Sequence, residues 1–204
     1  MGFWGTLVIC RGAVALAELP VIRALGREAE PWAGPWRPGW RGWRIWGSTP
    51  EGLPGELATA GLAPLLTAQV LDSDAALVTG IDPAGGSWAG WLRLEAALGH
   101  LVPPPAPFDD EGNWIDVDIE DPAAFPAYHE ELAETRARLL AAAPGGRATA
   151  EGAVAWAAGS GLPAPSVDAV LAVLASERVF VEEQVWELVR LLGPVGPVGP
   201  VGPD

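Results

Sequence analysis

The sequence predicts an α+β fold: an N-terminal antiparallel or mixed sheet of about four to six strands, covered by one or two helices, followed by a C-terminal layer of about four helices. Two observations carry this. Between residues 65 and 94, three apolar or alternating segments (65–71, 75–81 and 87–94) are separated by Asp-Ser-Asp and Asp-Pro-Ala-Gly-Gly. Such clusters form turns, because Asp and Ser side chains bond their own backbone while Gly and Pro set turn dihedrals. Beyond residue 121 the period lengthens: Phe125, Tyr128, Leu132 and Leu139 follow one another at spacings of three, four and seven, the stripe of an amphipathic helix.

Taken in order, residues 3–10 are a continuously apolar run bounded by Gly2 and Arg11-Gly12, a buried strand with Cys10 as inert core. Val14, Leu16, Leu19, Ile22 and Leu25 make a helix kinked or started at Pro20 and closed by Gly26. Residues 31–42 are too rich in Pro and Gly for regular structure, a strand resumes over 40–46, and 51–62 form a short helix ended by Gly61 and Pro64. After the three strands, a short helix within 95–108 leads into Val102-Pro-Pro-Pro-Ala-Pro, stiff because successive prolines favour polyproline II geometry. Asp121-Pro122 offers an N-cap and a first helical residue, and Pro144-Gly145-Gly146 stops that helix. Helices at 148–158, 166–175 and 180–192 follow. Four Gly-Pro-x triplets end the sequence, too few for a triple helix, and predict a flexible tail. The organisation expected is a sheet domain (1–101), a Pro-rich linker with an acidic edge segment (102–121), a helical subdomain (122–192) and a disordered Gly-Pro-Val tail (193–204).

Half of the 204 residues are apolar, enough for a core without metal or disulfide, and the single Cys10 cannot form an internal bridge, so a reduced cytoplasm is expected. All twelve basic residues are Arg, a composition that a GC-rich bacterial genome imposes and that carries no functional weight. A net charge of −14 argues against nucleic-acid backbones and anionic membrane surfaces, which are bound through Lys and Arg, and favours a basic partner. The first 46 residues carry six Arg against Glu18, Glu28 and Glu30, a balance of +3 that leaves −17 for the remainder. The longest apolar stretch, 57–71, is broken by Pro64 and Gln69, so no membrane span is expected. Residues 1–10 carry no basic residue, and bulky Ile9 precedes Cys10, against export by a secretory or lipoprotein signal.

The most unusual segment is 31–46, where Trp32, Trp36, Trp40, Trp43 and Trp46 are interleaved with Arg37, Arg41 and Arg44. Alternating Trp and Arg stack on planar or cationic groups of a partner. The packing alternative takes precedence, with Trp43 and Ile45 on the core face of a strand and Arg44 and Trp46 on the other, because one Trp of each adjacent pair must be internal if the strand pairs. Trp32 and Trp36 remain candidate contacts.

The acidic segment 108–121 holds Asp109, Asp110, Glu111, Trp114, Asp116, Asp118 and Glu120. As a calcium loop beginning at Asp109 it offers Glu111, Asn113 and Glu120, but Trp114 stands where the sharp turn requires Gly. Ile115, Val117 and Ile119 instead alternate with the carboxylates as in an edge strand, which leaves an acidic ridge to accept Arg or Lys of a partner. Asp72-Ser73-Asp74 reads as a turn before it reads as a metal–nucleotide pair. His100 and His129 lie in no metal-binding spacing, Gly159-Ser160-Gly161 reads as a helix C-cap, and no catalytic residue, metal or cofactor is assigned. The function expected is therefore a non-enzymatic acidic binding module, immunity- or chaperone-like, for a basic protein. The alternatives are a carbohydrate- or nucleotide-active enzyme using Asp72, Asp74 and Asp82, or a structural component of a larger assembly.

Overall fold

The computed structural model describes residues 2–12, 14–106, 108, 114 and 118–196. Six strands, β1 (Gly5–Arg11), β2 (Ala29–Trp32), β3 (Trp40–Trp46), β4 (Leu65–Leu71), β5 (Ala75–Ile81) and β6 (Ser87–Leu92), form one antiparallel sheet in the order β2-β3-β1-β4-β5-β6. The helices are α1 (Pro20–Ala24), α2 (Leu53–Leu57), α3 (Leu94–Leu101), α4 (Pro126–Ala142), α5 (Gly146–Gly159), α6 (Val167–Leu174) and α7 (Val181–Leu192). A sheet in the N-terminal part with helices mostly after it is the α+β architecture that the turn spacing and the change of period predict.

The sheet's centre is buried on both faces, which is why β1 is apolar without alternation. Leu7, Ile9, Leu66, Val70 and Val78 face Trp156, Val170, Val185 and Leu188 of α5, α6 and α7. On the opposite face Val8, Cys10, Trp43, Ile45 and Leu65 meet Leu16, Ile22, Leu53, Leu57 and Leu62. Each such aliphatic side chain contributes about 1.5–3 kcal/mol on burial. Burial also pushes the Cys10 thiol up from 9.0 to about 11, with the Arg41 guanidinium acting weakly in the other direction. α5 approaches the sheet closely because Trp88 of β6 lies across Gly80 and Gly152, where any side chain would run into the indole. Thr149 Oγ1 then donates to the Ala89 carbonyl at 3.0 Å, and Trp156 Nε1 to the Ile81 carbonyl at 3.1 Å.

Four local expectations change. Strand β2 runs into the segment read as irregular and pairs Ala29 with Ile45 and Trp32 with Gly42; an edge strand tolerates Pro31 because half of its N–H groups point away from the sheet. Helix α4 begins at Pro126 and not at Pro122. Asp121 instead closes a turn, its Oδ1 accepting the Ala123 N–H at 2.9 Å, and Phe125, placed before a proline, sits at φ −129°, ψ 61°, outside the helical region. Ile119, expected in an edge strand, lies in none: Asp118 Oδ1 accepts the Glu120 N–H at 2.9 Å and bends 118–121 into a turn. Residues 115–117 lie outside the described residues. Finally, the Gly-Pro-Val segment starts as packed structure. Gly193 ends α7 at φ 95°, the Gly196 N–H bonds the Pro35 carbonyl at 2.8 Å, and Val195, 6% exposed, enters the core. One buried valine and two backbone hydrogen bonds, the second from Arg37 N–H to the Pro194 carbonyl, offset the ordering of this stretch.

Candidate functional site

Of the seven residues placed on the acidic ridge, Asp109, Asp110, Glu111 and Asp116 lie outside the described residues. The other three face water: Trp114 is 68% exposed, and Asp118 and Glu120 are exposed. Trp114 meets the exposed Phe108 edge-on at 5.5 Å between ring centroids. His129 Nε2 lies 3.0 Å from the Ile119 carbonyl, which docks the 118–121 turn against the first turns of α4. The same helix carries Glu130, Glu131 and Glu134, all exposed. Among the described residues, none of Asp118, Glu120, Asp121, Glu130, Glu131 and Glu134 has an ion-pair partner; the Arg–carboxylate pairs are Arg136–Glu95, Arg147–Glu151, Arg147–Asp168 and Arg178–Glu187. The 118–121 turn is thus held against a helix that carries further carboxylates, through a histidine whose part the sequence spacing did not disclose.

Trp32 and Trp36 are half-buried and form a cluster with Trp186 of α7, with centroid separations of 5.1–5.4 Å. Trp36 Nε1 donates to the Trp32 carbonyl at 2.9 Å, and the indole fills the space over Gly42. Arg44 stands 5.7 Å over the Trp32 ring. Trp43 (8% exposed) and Ile45 (0%) point into the core while Arg44 and Trp46 point out, as strand alternation requires. Most of the Arg–Trp run is accounted for by packing.

Asp72, Asp74 and Asp82 do not converge. Asp72 and Ser73 occupy left-handed positions (φ 47° and 63°) in the β4–β5 turn, where Asp72 Oδ1 accepts the Gly2 N–H at 3.1 Å and Asp74 pairs with His100 at 3.2 Å. Asp82 lies at the other end of β5, about 26 Å from Asp74 at strand rise, and accepts the Ala84 and Gly86 N–H groups of its own loop at 2.8 and 2.9 Å. No three His, Cys, Asp or Glu side chains gather as metal ligands among the described residues. Ser160 caps the C-terminus of α5.

Sequence reasoning missed a cleft of about 500 Å³ on the α2 side of the sheet. Helix α2 packs on β4 and β5 at one side of that face, and α4 reaches the cleft at the β6 edge, so the floor between them is open. Register assembles that floor: Gln69 opposes Leu77 and Leu77 opposes Trp91, while beside them Thr79 opposes Ala89. Glu51 stands on the α2 side and Arg138 of α4 on the other. The signal was present in the alternation of β4, where Thr67 and Gln69 interrupt Leu66, Ala68 and Val70 at period two and mark a face that is not apolar core.

No family model, curated protein or solved structure matches the chain. No helix among the described residues is long and apolar enough to cross a membrane.

Proposed function

We propose that this chain is an acidic docking module, immunity- or chaperone-like, that engages a basic protein segment in the cytoplasm. The observation that carries the reading is the surface built by the 118–121 turn and α4, where six exposed carboxylates have no cationic partner among the described residues and the exposed Phe108–Trp114 pair lies in the adjoining segment. Unpaired like charges on one surface repel one another and raise the local negative potential, which steers a basic partner into encounter; an exposed indole supplies the contact that slows its departure. The carboxylates of the rival enzyme reading lie at opposite ends of β5, too far apart to act on one group, and nothing in their arrangement favours that reading.

The test is stopped-flow association with an arginine-rich peptide as probe, comparing the natural chain with a variant carrying Asp118→Asn, Glu120→Gln, Glu130→Gln and Glu131→Gln. The natural chain associates more slowly as salt rises, and the variant loses at least tenfold in on-rate at low salt and most of the salt slope. Trp114→Ala leaves the on-rate and raises the off-rate several-fold. An on-rate unchanged in the fourfold variant overturns the proposal.

A further inference from the structure

We infer that the cleft between α2 and α4 binds a short apolar peptide by both of its free termini. It does not depend on the acidic surface, although α4 contributes to both: Arg138 follows Glu134 by four residues and Glu131 by seven.

At about 500 Å³ the cleft has the size of small-ligand sites, and its lining is mostly apolar with a few convergent polar groups, the usual composition of such sites. Leu77, Trp91 and Leu139 offer apolar surface. Thr79 and Gln69 rise from the middle of the floor, where hydrophobic packing has no use for a hydroxyl and an amide. Gln69 Nε2 donates to the Thr49 carbonyl at 3.3 Å, which turns its carbonyl oxygen to a different partner, and the Thr79 hydroxyl has no protein partner among the described residues. These two groups suit the amide and carbonyl of a peptide unit.

Charge selects the occupant. Glu51 and Arg138 are exposed, opposite in sign and on opposite walls, and neither has an ion-pair partner among the described residues. A ligand bearing a cation at one end and an anion at the other complements both walls, with the carboxylate on the planar guanidinium and the ammonium on the carboxylate. The charges of a free amino acid are separated by a single carbon, whereas a peptide of two or three residues sets its termini apart by about 3.3 Å per residue, as charges on two walls require.

Calorimetric titration of the full chain with Leu-Leu, N-acetyl-Leu-Leu and Leu-Leu amide tests this. Free Leu-Leu binds, and blocking either terminus weakens binding at least tenfold. Glu51→Gln abolishes discrimination against the acetylated peptide and keeps discrimination against the amide; Arg138→Gln does the reverse. The blocked peptides probe the natural chain, so that arm does not depend on how the variants fold. No binding of Leu-Leu at millimolar concentration, equal binding of blocked and free peptides, or free leucine binding as tightly as the dipeptide each overturns the inference. Charge removal at Asp118 and Glu120, in the turn that contributes nothing to the cleft lining, leaves Leu-Leu binding unchanged, which separates failure here from failure of the acidic surface.

Discussion

Ser73 Oγ lies 2.6 Å from Glu182 Oε1, joining the β4–β5 turn to the first turn of α7 across 109 positions of sequence. The same hydroxyl accepts the Phe3 N–H at 2.7 Å, and the Ser73 carbonyl accepts the Val181 N–H at 2.8 Å. One turn residue thus secures the N-terminal segment and the last helix. Because its acceptor is ionised, Ser73→Ala costs about 2 kcal/mol in urea unfolding. Ser73→Gly loses the same bonds but relaxes the left-handed backbone, φ 63°, so it is less damaging than alanine by about 0.5–1 kcal/mol. Wild-type stability in Ser73→Ala would contradict this role.

The Trp32–Trp36–Trp186 cluster makes a second pair of substitutions informative. Trp186→Ala removes the α7 ring from its tilted contact with Trp32 and its edge contact with Trp36 and costs about 3 kcal/mol. Gly42→Ala drives a methyl into the Trp36 indole and costs about 1–3 kcal/mol. In the double variant the losses fall short of their sum, since both act on one cluster. Additive losses would mean that the three rings do not act together.

Cys10 provides a pH signature. Its thiol is protonated in the folded chain up to about pH 11, whereas the unfolded thiol ionises near 9.0. The unfolded state therefore releases the proton first: the stabilisation is complete below pH 9 and is lost as pH rises towards 11, on the order of 2 kcal/mol in all. Melting midpoints recorded across that window fall more steeply for the natural chain than for Cys10→Ala, and a thiol reagent at pH 8 modifies the unfolded chain only. Equal slopes, or rapid modification of the folded chain, would remove the assignment.

The central sheet was readable because its information is local. Turn clusters bracket β4, β5 and β6, and the apolar run of β1 can be satisfied only between two layers. Strand β2 was hidden because prolines and glycines argue against pairing in general, while pairing at an edge requires only half of the backbone donors. The start of α4 was misplaced by one turn for a related reason: Asp121-Pro122 and Phe125-Pro126 both resemble a helix start, and the choice falls to the second through the backbone of Phe125.

The candidate surfaces were less legible. The acidity of 108–121 is visible in the residues, but the docking of its end on α4, which carries Glu130, Glu131 and Glu134, depends on a contact between His129 and the Ile119 carbonyl that no spacing rule encodes. The cleft is a product of strand register and of helices that stop short, and Arg138 reaches it from a helix far along the chain. In the Arg–Trp run the sequence exposed chemistry without revealing that Trp186, 150 positions beyond Trp36, had already claimed its rings.

The borders of the sheet bear on how the chain behaves when crowded. Along β2 the lateral row of donors is interrupted by Pro31, and beside β6 the Ala89 carbonyl is occupied by Thr149. A neighbouring copy that lays a strand alongside finds an incomplete ladder on either flank, so templated growth into fibres has no clean starting ledge.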